Sequence, residues 1–430
     1  MVFYNSMHKN SFFNNHKIRF KNNNLRFSGF TDEWNEVKLG DISKSITKGT
    51  TPKKYSDTGI NFVKVESIEN NKIYKIDAFI DENTHKNELS RSILKTNDLL
   101  FSIAGSLGRT TIVTENILPA NTNQALSIIR FYDNCNCNLN FIQSRLNTYD
   151  IAKYIFQNLA VGAQPNLNLQ QVGNIKIRIP SFNEQNKIQG FLECVDIKIE
   201  LLKKKYQQYQ EFKKYLMQQI FTQKLRFDFK DTWDKVLLKD VAFIPKKTKL
   251  TNIEGLKLLT VKLHTKGIEI NDRIKPKLTK RGRPYYIRRS GELLIGRQNF
   301  HNGGMGIVPK SLDEGICSNA ISSFNVFEDK IDVNYLYYFL ARPEYYIKSE
   351  RLIGGTGQKE FSEKELLKLK IDLPSLEEQN KIVDFLSNID HKIELSENQL
   401  NKTQEFKKGL LQQMFVVQLI LSLLQNKKHI

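Results

Sequence analysis

The sequence predicts an α+β protein built twice. Two globular domains are separated by two long helices paired antiparallel as a coiled coil, and a pseudo-two-fold internal repeat relates the halves. Three observations carry this reading. Residues 180–221 (PSFNEQNKIQGFLECVDIKIELLKKKYQQYQEFKKYLMQQIF) recur at 374–415 with no gap and a constant offset of 194, and 23 of 42 positions are identical. A long internal repeat at fixed spacing signals two copies of one structural unit. LRFSGFTDEWNEVKLGDI (25–42) also resembles LRFDFKDTWDKVLLKDV (225–241), which aligns Trp34 with Trp233, the only tryptophans. Finally, within each copy of the long repeat the apolar residues step by four and three, a coiled-coil seam.

Taken in order, residues 1–24 are polar, Asn-rich and basic, and read as a disordered lead-in. The first domain covers 25–178, with strands expected at 60–65, 98–103 and 125–131 and a helix over 139–157. The first long helix takes 179–224. The second domain follows at 225–372, with strands at 256–263, 292–296 and 321–327 and a helix over 333–350. The second long helix takes 373–415, and 416–430 is a tail that departs from the repeat. The weaker register agrees: NDLLFSIAG (97–105) lies over GELLIGRQN (291–299), and Gln164 over Gln358.

Each long helix opens with Pro-Ser-x-x-Glu, so Ser181 with Glu184 and Ser375 with Glu378 are expected to form capping boxes. The first seam runs through Ile188, Leu192, Val195, Ile199, Leu202, Tyr206 and Tyr209, then Phe212, Leu216 and Ile220 after a phase slip. The second runs through Ile382, Leu386, Ile389, Ile393, Leu400, Phe406 and Leu410, with polar breaks at Ser396 and Thr403. About 40 helical residues at ~1.5 Å each span roughly 60 Å. One such helix cannot bury its seam alone, and two in one chain most simply pair with each other.

The chain has 430 residues and a formal charge of +19, which favours a polyanionic partner such as nucleic acid. The charge is uneven. Residues 246–301 hold 15 Lys/Arg against 4 Asp/Glu, whereas 35–178 hold 17 against 13. In the first domain the basic spot is Ile46–Tyr55, with Lys48, Thr50, Lys53, Lys54 and Tyr55 as contact candidates; Arg109, Asn123, Gln124 and Gln164 join them. In the second, Lys246–His301 supplies Lys246, Lys247, Lys249, Arg281, Arg283, Tyr285, Arg288, Arg289, Arg297, Gln298, Asn299 and His301, joined by Gln358. Arg suits phosphate and guanine, and Asn and Gln suit adenine. Asn121 belongs to the same polar set.

No catalytic motif stands out. GMGIVPKS (304–311) has Pro309 where a P-loop needs glycine, there is no Pro-Pro pair, and no HExxH occurs. The four cysteines, Cys135, Cys137, Cys194 and Cys317, have no zinc spacing. FVVQLILSLL (415–424) is shorter than the roughly 20 residues that span a bilayer. These features predict a cytoplasmic protein with no catalytic or metal residues of its own.

LRF…W, LLFSIAGSLG, VGAQPNLN and the doubled (I/L)PSxxEQNKI helix resemble the specificity subunit of type I restriction–modification systems. The resemblance covers about residues 25–415. It implies two target-recognition domains, each binding one half of a bipartite double-stranded DNA site, held apart by antiparallel helices. It implies two methyltransferase subunits and restriction (helicase-nuclease) subunits as partners. S-adenosylmethionine, ATP and Mg2+ would reside on those subunits and no cofactor on this chain. A self-contained DNA-binding regulator and a coiled-coil scaffold are the alternatives.

Overall fold

The computed structural model describes residues 18–21, 24–159, 165–278, 282–349 and 360–415. Two compact units form, Met1–Leu201 with Leu400–Ile430, and Leu202–Gln399. They cut across the boundaries expected from sequence, because each unit takes one portion of both long helices. A helix with an apolar stripe is stabilised by what it packs against, so its two ends join different cores.

In the first unit the strands Thr110–Ile112, Leu99–Ser102, Leu126–Phe131 and Ser43–Lys48 form an antiparallel sheet in that order. The two central strands are apolar on both faces, as a sheet covered on both sides requires. Alternation sorts them: Leu99, Phe101, Ile129 and Phe131 enter one core cluster, while Leu100, Leu126 and Ile128 enter another. A second sheet pairs Ala120–Thr122, Ile60–Val63 and Phe79–Ile80. Within the stretch expected to be disordered, Ile18–Lys21 pairs antiparallel with Asn24–Phe27. Its Ile-Arg-Phe run favours strand over coil.

The second unit repeats the frame. Met305–Ile307, Leu293–Gly296, Ile321–Val326 and Ala242–Phe243 form the equivalent sheet. Leu293, Ile295 and Phe324 face one cluster and Leu294 the other. Among the described residues the second sheet is not repeated. In its place stand two ladders, Leu259–Val261 with Ile268–Ile270, and Tyr285–Ile287 with Ile316–Ser318. The single helix expected in each domain is broken in two. Leu139–Leu146 gives way to Tyr149–Gln157 at an extended Thr148, and Val333–Leu340 to Pro343–Ser349. Pro343 lacks the N–H that would continue the preceding helix and suits the first turn of a new one.

The long helices run Phe182–Phe221 and Leu376–Phe415, 40 residues each. In the first unit Ile188, Leu192 and Val195 share a core with Leu410, Met414 and Phe415, and Lys407 Nζ pairs with Asp196 at 2.5 Å. In the second, Met217, Ile220 and Phe221 share a core with Ile382 and Leu386, and Lys213 Nζ pairs with Asp390 at 2.5 Å. Tyr206 also donates to Glu397 at 3.4 Å there. From Tyr206 to Lys213 the partner moves back from Glu397 to Asp390, so the pairing is antiparallel. The 194-residue offset carries Asp196 onto Asp390 and Lys213 onto Lys407. The two ion pairs are therefore one interaction made twice. Of the residues expected after the slip, Leu216 and Ile220 are buried, joined by Met217, whereas Phe212 is 49% exposed.

Candidate functional site

The repeated Pro-Ser-x-x-Glu-Gln motif fixes each domain to its helix. Glu184 and Glu378 were expected to reach back to the serine N–H. Both carboxylates are buried, and both take an arginine of the Leu-Arg-Phe segment instead. Arg26 binds Glu184 with Nε and Nη2 at 2.7 Å each, and Arg226 binds Glu378 at 3.0 and 2.7 Å. The hydrogen bonds to the glutamates raise the pKa of both arginines above the ordinary value. A buried carboxylate needs a charged partner more than a helix start needs a second cap. Ser375 keeps the serine half of the expectation and accepts from the Glu378 N–H at 3.4 Å.

The adjacent glutamines finish the lock. Gln185 accepts from the Asn138 N–H at 2.9 Å and donates to the carbonyls of Asn136 and Pro180. Gln379 does the same with Asp332, Lys330 and Pro374. One difference stands out: the Trp233 indole N–H donates to Glu378 at 3.0 Å. Trp34 packs on Phe141 and Phe415. Sequence reasoning missed this lock, although its signal was present, since Arg26 and Arg226 head the same motif that precedes each tryptophan.

The first domain brings two distant candidate segments together. Gly49 lies against the backbone of 122–123, where an added Cβ would stand 2.2 Å from the Thr122 carbonyl oxygen. Only glycine allows the Gly49 N–H to reach the Leu126 carbonyl at 3.1 Å and the Thr50 N–H to reach that of Thr122 at 2.9 Å. The Thr51 hydroxyl donates to Gln124. Lys48, Lys53 and Lys54 are exposed and form no ion pair among the described residues. Tyr55 packs edge-on against Phe62, with the Lys64 ammonium 4.7 Å above its ring. Asn123 closes its own turn by accepting from the Ala125 N–H.

Two polar residues of this domain serve the fold. Asn121 is fully buried and donates to the Leu89 carbonyl at 2.9 Å, so it is no base reader. The exposed Arg109 donates to the Val65 and Ile68 carbonyls at 3.3 and 3.0 Å, which commits one edge of its guanidinium. Gln164 lies outside the described residues, as do Arg281 and Gln358.

The second domain also gathers its candidates. The Leu250 N–H donates to the Tyr285 carbonyl, joining 246–250 to the strand Tyr285–Ile287. Many of its cations are held. Lys247 bonds Glu363, and its ammonium lies 5.9 Å from the Tyr286 ring. Burial pushes the Glu363 carboxyl up, but its bonds from Lys247 and Ser322 outweigh this and leave it below the ordinary range. Arg297 pairs with Glu360 at 2.7 Å, and Gln298 donates to the same carboxylate. Arg289 pairs with Glu314 at 2.7 Å.

Arg288 must be removed from the contact set. It is 2% exposed, donates to the Ile321 carbonyl and lies 5.7 Å from the Tyr286 ring. Its place on the inward side of the strand end buries it, a fact composition cannot show. Tyr285 and His301 are half-buried, and Asn299 is exposed. Lys246, Lys249, Lys277 and Arg283 are exposed and form no ion pair among the described residues, as do Lys266, Arg273 and Lys275, which the reading of the sequence did not single out. Free ammonium and guanidinium groups of this kind attract phosphate and release counterions on binding it. Among the described residues, no helix is long and apolar enough to cross a membrane.

Comparison with known proteins gives one consistent result. The profile of the Type I restriction modification DNA specificity domain matches residues 31–211 and 230–405. The chain is 25% identical over 407 residues to the putative type I restriction enzyme MjaX specificity subunit of Methanocaldococcus jannaschii, covering 88% of this chain and 92% of that one. It is 24% identical over 412 residues to the MjaVIII specificity subunit of the same organism, covering 88% and 91%. In fold it is similar to a chain of a type I R-M system, with a TM-score of 0.56 and 17% identity over 90% of this chain and 99% of that one. The S subunit from M. genitalium gives a TM-score of 0.55 at 15% identity, covering 90% and 97%.

Proposed function

The chain belongs to the family of type I restriction modification DNA specificity domains, as a DNA-recognition subunit with two target domains, and from that premise we propose how it works. Each domain reads one half of a bipartite double-stranded DNA site. Residues 46–55 with Asn123 and Gln124 serve the first half, and the free cations of 246–283 the second. Phosphate contacts hold the register, and side chains at base edges select sequence.

The observation that supports this reading is one frame built twice with different inserts. Like frames suit like partner contacts, and divergent inserts suit different base sequences. We assign two methyltransferase subunits and restriction subunits to the complex. Adenine methylation with S-adenosylmethionine, and restriction with ATP and Mg2+, take place on those subunits. This chain supplies the address and no catalytic group.

Methylome sequencing of the host with and without the gene tests the proposal. The expected result is loss of adenine methylation at one asymmetric two-part motif. An unchanged methylome in a strain with active methyltransferase subunits would overturn it.

A further inference from the structure

The connection that leaves the strand Leu126–Phe131 contains Cys135-Asn136-Cys137, and both thiols are free. They line the same cleft of about 510 Å3, together with Tyr132, Leu139 and Phe182. In an extended strand their α-carbons would stand ~6.6 Å apart. That is the long end of the roughly 4.4–6.8 Å a disulfide spans. Asn136, at φ 48°, has a left-handed conformation that folds the chain back and shortens the gap. The Cys137 thiol accordingly donates to the Cys135 carbonyl at 3.0 Å. Burial, with Cys135 beside it, pushes the Cys137 thiol up to about 12. The residue between them is also part of the lock, because Gln185 donates to the Asn136 carbonyl at 3.2 Å and accepts from the Asn138 N–H at 2.9 Å. The second domain has no such pair. The positions 194 residues on are Asp329 and Ile331, and Ile331 is fully buried.

We propose that Cys135 and Cys137 form a reversible dithiol–disulfide site whose closure draws the Asn136 turn away from Gln185 and loosens the first domain on its helix. The co-reactant is a small disulfide. Cys135 loses its proton and attacks one sulfur of it, giving a mixed disulfide and releasing one thiolate. Cys137 loses its proton and attacks the Cys135 sulfur, closing the ring and releasing the second thiolate. The chain gives up two electrons and two protons, and the small disulfide becomes two thiols. A ring closed across one residue is strained, so the bond is easily reduced again and acts as a switch rather than a staple.

The test uses the full chain with Cys194→Ser, which removes the exposed thiol. It is oxidised with a small disulfide, alkylated, reduced and labelled with a second alkylating reagent. Peptide mass should show both Cys135 and Cys137 carrying the second label, and Cys135→Ser should return Cys137 to the first. Hydrogen exchange should report the Asn138 amide exchanging roughly tenfold faster after oxidation, the loss of one net hydrogen bond, with no change in Cys135→Ser. First-label alkylation of both sulfurs after oxidation would overturn the proposal. So would a persistent mixed disulfide, or a closed bridge that leaves Asn138 protection unchanged. None of these readouts depends on DNA recognition.

Discussion

The basic loop of the first domain presents Lys48, Lys53 and Lys54 free, whereas the basic stretch of the second clamps several of its cations against carboxylates and leaves others free. Lys48, Lys53 and Lys54 surround a glycine loop packed on the 122–126 turn. Lys247, Arg289 and Arg297 instead meet Glu363, Glu314 and Glu360. Those three acids all lie outside the basic stretch 246–301. A charge count along the chain therefore overstates the free charge of the second domain, because the neutralising groups arrive by folding. The frames behave oppositely. Sheet order, the helix pair and the Arg–Glu lock agree between the units, while the inserts differ in both topology and charge pairing. Function that varies belongs to the inserts, and function that is shared belongs to the frame.

The sharpest break of this comparison is an exchange of 232–372 for the matching domain of a relative. It should change one half of the DNA site completely and leave the other intact, as methylation mapping would show. If both halves changed together, frame and insert would not be separable. A fragment ending near residue 235 comes next. Its helix can pair with a second copy, Lys213 replacing Lys407 opposite Asp196 and Phe221 replacing Phe415, in an isologous interface. Light scattering should give a dimer, and a strict monomer would deny the equivalence of the two helices.

Third in size are the locks. Glu184→Ala and Glu378→Ala each strand a partly buried arginine and should cost about 3–5 kcal/mol in denaturant unfolding. Glu378→Ala should cost more, by about 1 kcal/mol, since Trp233 also loses its acceptor. Equal losses would mean the indole bond adds nothing. Fourth, Lys249, Lys277 and Arg283 changed to Glu should weaken DNA binding and lower the salt slope by about one for each phosphate left without its cation. Arg289→Glu should do less, because Arg289 is already paired. A larger effect at Arg289 would place the DNA on the opposite edge.

The smallest effect concerns acid. The Glu363 carboxyl titrates below its ordinary value of 4.5, so its stabilisation is present above that value and lost as pH falls through the depressed one. Glu363→Gln should therefore lower stability most near neutrality, and the gap from the wild type should close as pH falls through the depressed value. A gap that persisted there would mean that packing, not charge, links Glu363 to Lys247.

Much of this molecule was legible in the chain alone. The 194-residue offset, the apolar steps of the long helices and the runs at 98–103, 125–131 and 292–296 are local patterns, and local patterns report which residues must be buried. They led directly to two units, antiparallel helices and the central strands. The chain did not show that Glu184 and Glu378 pass over their caps to bind arginines 158 and 152 residues away. Nor did it show that Arg288 turns inward while Arg283 stays outside, or that the helix of each domain breaks. These outcomes depend on which groups become neighbours after burial. A charge is priced by its surroundings, and in a buried position the nearest partner of opposite sign decides its role wherever that partner lies in the sequence.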